Sequence, residues 1–208
     1  MNCSGNTCNI TTIPLDANFW NERWISQETG WDIQSVSPPL KNYIDTITNK
    51  NAAILIPGCG NAYEAQYLLE NGFANITVID ISAQLCQKII SQFEQYIGKQ
   101  LTIICGDFFN HYGKYDYILE QTFFCALNPT LRKNYVAHMH QLLNTNGKLA
   151  GVLFNTSFPN VDLPPFGGNK EEYIDLFQNQ FQIKHMENCY NSIEPRKDKE
   201  LFVELIKK

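Results

Sequence analysis

The sequence predicts an α/β fold: a doubly wound, mostly parallel seven-stranded sheet with helices on both faces and one antiparallel strand near its C-terminal edge. Three observations predict it. Short apolar runs alternate along the chain with segments of helical periodicity. The first clear run ends in a glycine turn, Pro57-Gly58-Cys59-Gly60. The last two runs follow one another with no helix between them, which asks for an antiparallel pair.

In chain order, Asp16 is placed to cap a short helix carrying Phe19, Trp20 and Trp24. Gly30 and the Pro38-Pro39 pair are expected to break the chain before a helix over Leu40 to Thr46. Ala53 to Ile56 reads as the first strand, followed after the glycine turn by a helix from Tyr63 to Glu70 that stops at Asn71-Gly72. Ile76 to Ile79 is the second strand and ends at Asp80. Ser82 then caps a helix in which Leu85, Cys86, Ile89, Ile90, Phe93 and Ile97 recur at spacings of three and four, with Gly98 as its stop.

Leu101 to Cys105 and Tyr115 to Leu119 are the third and fourth strands, ending before Gly106-Asp107 and Glu120-Gln121. Asn128-Pro129 opens a helix to about Leu143, proline being tolerated where no N–H is needed, and Lys148 to Phe154 is the fifth strand. After a Pro/Gly-rich loop over 159–168, Asn169 and Glu172 form a capping-box-like start for a helix through Phe177. Phe181 to Tyr190 and Leu201 to Ile206 complete the sheet.

With 208 residues the chain fits one domain and has no room for a second catalytic one. Residues 1–15 read as a flexible leader and 16–208 as a single domain, of which 16–48 forms an N-terminal helical lid. The net charge of -5 argues against a nucleic acid or an acidic membrane surface as partner. The N-terminus has no basic start followed by an apolar run, and no stretch approaches the roughly 20 apolar residues of a membrane span. A soluble, cytoplasmic monomer is expected. The seven cysteines are an odd number, and five of them sit in apolar segments, so a disulfide framework is not expected. Cys3 and Cys8 lie in a polar tail at a spacing that matches no common zinc pattern. No metal site is expected, since His138 and His140 fall on different faces of their helix.

In a sheet of this kind ligands bind beyond the carboxyl ends of the strands, beside the first one. Gly58 and Gly60 let the backbone turn sharply and approach a ligand closely. A dinucleotide fingerprint would want a third glycine where Tyr63 stands, and no Gly-Lys-Ser/Thr follows for a phosphate loop. S-adenosylmethionine has no phosphate and needs only the two-glycine turn. Asp80, 20 positions after Gly60, suits two ribose hydroxyls, each a donor to one carboxylate. Asp107 and Phe108 are placed for the adenine amine and ring face, and Gln121 for the methionyl arm. The glycine turn alone is a weak signal; glycines, Asp80 and Asp107-Phe108 at successive strand ends are a much stronger one.

These residues resemble the thiopurine S-methyltransferase family, and more closely its thiol and halide methyltransferase branch. The matching stretches are Phe19-Trp20-Asn21-Glu22-Arg23-Trp24, Thr29-Gly30-Trp31-Asp32, Ile56 to Gly60, Val78-Ile79-Asp80-Ile81-Ser82, Phe123-Phe124-Cys125-Ala126-Leu127, Pro164-Pro165-Phe166 and Pro195-Arg196. The resemblance spans nearly the whole chain from Phe19 and implies a Rossmann-like class I methyltransferase. It implies cofactor contacts from Trp20, Trp24, Trp31, Gly58, Asp80, Asp107, Phe108 and Gln121. The branch commonly has Thr-Pro-Trp-Asp where this chain has Thr-Gly-Trp-Asp, an aromatic residue at Gln121, and glycine at Asp198.

Trp20 and Trp24 share a helix face, so with Trp31 they could close an aromatic lid over a sulfonium cation. The alternative is that they are core residues anchoring the leader. Three tryptophans in one short segment and none elsewhere favour the lid. The acceptor pocket is expected between the leader and the 159–168 loop, walled by Phe123, Phe124, Pro165 and Phe166. Such walls favour a small, soft methyl acceptor: a thiol, hydrosulfide, halide or thiopurine. A thiol ionises readily and a halide needs no base, so no dedicated catalytic residue is required; Asp32, Glu120 and His111 are candidates for proton removal only in that they border the site, and a structural or solvated role is the favoured reading of each. An oxygen- or nitrogen-directed methyltransferase, and a non-catalytic cofactor sensor, are the alternatives.

Overall fold

The computed structural model describes residues 13–208, so Cys3, Cys8 and most of the expected leader lie outside the described residues. Seven strands form one sheet in the order β3-β2-β1-β4-β5-β7-β6. They are β1 (Ile54–Pro57), β2 (Ile76–Asp80), β3 (Leu101–Cys105), β4 (Tyr115–Gln121), β5 (Leu143–Phe154), β6 (Phe181–Asn188) and β7 (Glu200–Lys207). β1 to β5 pair in parallel, and β7 alone runs antiparallel, to β5 on one side and β6 on the other. The strand order reverses between β1 and β4, which opens a crevice at their carboxyl ends.

Among the described residues six α-helices cover the sheet: α1 (Ala17–Ile25), α2 (Pro38–Asp45), α3 (Tyr63–Glu70), α4 (Ala83–Gln92), α5 (Arg132–Leu142) and α6 (Lys170–Phe177). Every residue of β1 is buried, because its Ile54-Leu55-Ile56 run is covered on both faces. One core joins Leu40 and Ile44 of α2, Leu68 of α3 and Ile89 of α4 to Ile56 and Val78. The other joins Tyr135 and Met139 of α5 and Phe177 of α6 to Leu55, Ile118 and Leu149. Each fully buried Leu or Ile contributes roughly 1.5–3 kcal/mol.

The predicted caps are present where they fix helix starts: Asp16 accepts the Asn18 and Phe19 N–H groups, Ser82 accepts that of Leu85, and Asn169 that of Glu172. Two expectations are corrected. Pro38 and Pro39 do not break the chain ahead of α2 but form its first turn, where a missing N–H leaves no hydrogen bond unmade. α4 does not run to Gly98: Phe93 leaves helical geometry (φ -108°, ψ 17°) while its ring is buried, and a 3-10 turn over Glu94–Tyr96 follows. Ile90 and Ile97, expected on the buried face, are exposed.

Candidate cofactor and acceptor site

The chain leaves β1 through a turn built on two left-handed glycines. Gly58 (φ +58°) and Gly60 (φ +53°) are both left-handed, a conformation that costs other residues roughly 1–2 kcal/mol. A Cβ at Gly58 would meet the Phe123 ring, whereas one at Gly60 would face Trp24 Cζ2 across an ordinary 3.9 Å. The turn is tied to the end of β2: Gly60 N–H donates to Asp80 Oδ2 (3.2 Å), and Ser82 N–H to Oδ1 (2.9 Å). Burial pushes the Asp80 carboxyl up to about 6, against the pull of those backbone donors. An ionised carboxylate offers roughly four acceptor positions, so the backbone donors leave capacity for hydroxyl donors.

Beyond β3, Asp107 is exposed and its Oδ1 caps the following 3-10 turn by accepting the Phe109 N–H (2.9 Å). Phe108 is buried, with its ring edge-on to Phe123 (5.1 Å between centroids) and to His138 (4.7 Å). Its faces are engaged by protein, so it forms the floor of the strand-end cluster and not an open stacking surface. His138 has a buried Nε2 without a partner, and burial lowers its pKa.

At the end of β4, Gln121 carries a buried Oε1 that no donor reaches. It lines a narrow crevice whose other walls include Ile33, Pro38 and Pro39 on the leader side and Ile193, Arg196 and Glu200 on the β6–β7 side. The three tryptophans meet in one half-buried cluster. Trp31 lies edge-on to Trp20 (5.5 Å) and to Trp24 (5.8 Å), and Trp24 stands beside Gly60.

Polar contacts hold that cluster from three sides. Asn21 Oδ1 accepts from Ser82 Oγ (2.7 Å) and from the Gln84 N–H (3.2 Å), at the start of α4. Asp32 Oδ2 accepts from Asn61 Nδ2 (2.6 Å), and Lys88 Nζ donates to Asn61 Oδ1 (2.6 Å). Arg196 Nη2 donates to the Trp31 carbonyl (2.6 Å). Asn61 and Lys88 escaped the sequence reading because nothing local marks them; Asn21 and Arg196 stood inside quoted motifs without a role.

The expected acceptor wall is rearranged. Phe124 is buried among Tyr135 (5.0 Å) and Tyr173 (5.5 Å), with the Arg132 guanidinium 4.8 Å from its centroid, so it offers no face to an acceptor. Phe123 packs on the Gly58 turn. Pro165 is exposed, and Phe166 is buried with its N–H donating to Cys125 O (2.7 Å). Glu120 lies buried with Oε1 accepting the Phe124 N–H (2.8 Å). Burial pushes its carboxyl up to about 7. His111 Nε2 pairs with Tyr115 Oη (2.8 Å). Among the described residues no three His, Cys, Asp or Glu side chains gather as metal ligands, and no helix is long and apolar enough to cross a membrane.

The chain matches the family described as Thiopurine S-methyltransferase (TPMT) over residues 15–208. Among curated proteins it is 27% identical to a thiopurine S-methyltransferase of Vibrio vulnificus over 194 residues, covering 86% of this chain and 87% of the relative. It is 28% identical over 138 residues to probable thiol methyltransferase 2 of Arabidopsis thaliana, covering 65% of this chain and 61% of the relative. Among solved structures, a Burkholderia thailandensis 1,6-didemethyltoxoflavin-N1-methyltransferase superposes with a TM-score of 0.75 at 15% identity, over 92% of this chain and 87% of that one. Magnesium protoporphyrin IX methyltransferase from Synechocystis, solved with bound S-adenosylmethionine, gives 0.69 at 14% identity, over 92% and 95%. At those identities the likeness is one of fold.

Proposed function

The chain belongs to the thiopurine S-methyltransferase family and is an S-adenosylmethionine-dependent methyltransferase acting on a small nucleophile; we propose that the acceptor is soft, a thiol, hydrosulfide, halide or thiopurine. The observation that carries the placement of the cofactor is the Gly60 N–H to Asp80 hydrogen bond beneath Trp24. It joins the turn after β1 to the acid that ends β2 and leaves acceptor capacity on that acid. The orphaned Gln121 Oε1 fits the same cofactor, since an amino-acid ammonium is a donor of the kind it lacks.

In this reading Gly58 and Gly60 pass close to the cofactor, Asp80 receives the ribose hydroxyls, and Asp107 with Phe108 borders the adenine. Gln121 receives the methionyl ammonium, and Trp20, Trp24 and Trp31 cover the cationic end. When bound, the cofactor supplies a methyl carbon on positively charged sulfur, open to in-line displacement. The protein's part is alignment and exclusion of water, to which the half-buried tryptophan cluster is suited. No base is assigned: Asp32, Glu120 and His111 are engaged in hydrogen bonds that hold the fold together. The acceptor is taken to lie on the Gln121 side of the strand ends, near the Phe123 ring that packs on the Gly58 turn. Residues 16–208 act as one catalytic unit with 16–48 as its lid, as a cytoplasmic monomer that does not bind nucleic acid.

A screen with methyl-labelled cofactor tests the acceptor class. Turnover of ethanethiol, hydrosulfide or iodide is expected; inert sulfur and halide acceptors beside an active oxygen or nitrogen acceptor would overturn it.

A further inference from the structure

Arg196 is 165 residues from Trp31 in the chain, yet its Nη2 donates to the Trp31 carbonyl at 2.6 Å. The side chain is buried, its Nη1 lies 3.4 Å from Glu200 Oε1, and its guanidinium stands 5.7 Å from the Phe154 ring centroid. Glu200 opens β7 and takes a second hydrogen bond from Ser192 Oγ (2.7 Å). β7 is held between β5 and β6, so the guanidinium is anchored in the most firmly paired part of the sheet. A charge-assisted bond from such an anchor is strong and directional.

The other end of the bond lies in a segment with little structure of its own. Between α1 and α2 the backbone runs through turns, with left-handed residues at Gln27 and Gln34. Trp31 cannot be positioned by a helix or a ladder there. It is positioned by contacts from outside: its carbonyl by Arg196, and the adjoining Asp32 by Asn61. Trp31 in turn sits between Trp20 and Trp24, and Trp24 borders Gly60.

We propose that Arg196 is a positioning residue for the cofactor lid: by fixing the Trp31 carbonyl it sets the tryptophan cluster over the glycine turn. The inference rests on the cofactor placement above. It also accounts for the charge arrangement, because Glu200 neutralises the guanidinium and leaves the cluster free to face a cation.

All three tryptophans of the chain belong to the lid, so tryptophan emission reports the lid alone. Its quenching by acrylamide is to be measured with and without S-adenosylhomocysteine, and the affinity for that ligand by calorimetry. The variants are Arg196→Met, Arg196→Lys and Arg196→Met/Glu200→Gln. The double variant removes the carboxylate that the first would leave buried and unpaired, so that a folded protein is available for comparison.

In the wild-type protein the ligand should lower quenching. In Arg196→Met and in the double variant, quenching should be higher without ligand and should stay high with it. Affinity should fall about tenfold or more. Arg196→Lys, which keeps a charged donor without the planar fork, should recover part of both. A folded double variant with wild-type quenching and wild-type affinity would overturn the tether. If the wild-type protein fails to bind S-adenosylhomocysteine, the cofactor placement falls, while the quenching difference between unliganded proteins still tests the tether.

Discussion

The ring of Phe123 stands where a side chain on Gly58 would have to go: a Cβ built on that glycine lies 2.3 Å from Phe123 Cδ2 and 3.1 Å from Phe123 Cβ. The turn after β1 and the loop after β4 are therefore interlocked at the point where the strand order reverses. Phe123 in turn lies edge-on to Phe108, so the ends of β1, β3 and β4 close on one another through a glycine and two rings. The floor of the proposed cofactor site is built by that closure.

Gly58→Ala should consequently destabilise the protein by two additive routes. A left-handed alanine costs about 1–2 kcal/mol, and the added methyl meets the root of the Phe123 side chain, which cannot swing aside as a chain end could. A loss of about 2–4 kcal/mol in urea unfolding is expected. Adding Phe123→Ala should cost less in the Gly58→Ala background than in the wild type, as contacting residues do in a double-mutant cycle. A Gly58→Ala protein as stable as the wild type would contradict the interlock.

Asp80 should make cofactor binding pH-dependent. Its carboxyl is pushed up to about 6 by burial, so it is ionised above that pH and protonated below it. The ionised form accepts hydroxyl donors on both oxygens, whereas the protonated form spends one position on its own hydrogen. Affinity for S-adenosylhomocysteine should fall as pH drops from 8 through 6 to 5. Asp80→Asn should bind weakly throughout and show a flatter profile. A level wild-type profile by calorimetry over that range would remove Asp80 from the site.

Much of this was legible in the chain itself, and the part that was not has a common cause. The strand runs, the Tyr63–Glu70 helix and the caps at Asp16, Ser82 and Asn169 follow from local pattern, and the structure has them. The glycine turn and Asp80 were legible because fold rules place strand ends together. Phe124 was not: its neighbour Phe123 stays at the strand ends while Phe124 turns into the aromatic core, and adjacent residues of one type carry no sign of which will do so. The bonds from Asn21 to Ser82, Asp32 to Asn61 and Trp31 to Arg196 span 61, 29 and 165 residues. Their partners become visible only once the sheet has brought them together.

Asn21 offers a test of the proposed lid's attachment at its other end. Its Oδ1 accepts from Ser82 Oγ and from the Gln84 N–H, so one amide oxygen both orients the α4 cap and serves one of that helix's free N–H groups. Asn21→Leu keeps the size and removes the acceptor. It should cost about 1–2 kcal/mol and speed amide exchange in α1 more than in β1 or β2. Equal exchange in α1 of both proteins would show that the tryptophan packing alone holds the helix.

Glu120 separates a structural acid from a catalytic one. Its carboxyl is fully enclosed, Oε1 accepts the Phe124 N–H, Oε2 has no partner, and burial raises its pKa from 4.5 to about 7. Between those values the folded protein holds a proton that the unfolded chain has released. Raising the pH through that window therefore destabilises the fold, by roughly 3 kcal/mol once it is passed. Asp80, raised in the same direction, adds a similar trend that both proteins compared here would share. Glu120→Gln keeps a carbonyl for Phe124 and removes the ionisation. Its melting temperature should match the wild type near pH 5 and exceed it at pH 8, with methyl transfer retained. Parallel stability curves would show that Glu120 does not titrate in this window, and loss of transfer in a stable Glu120→Gln protein would make it a participant in the reaction.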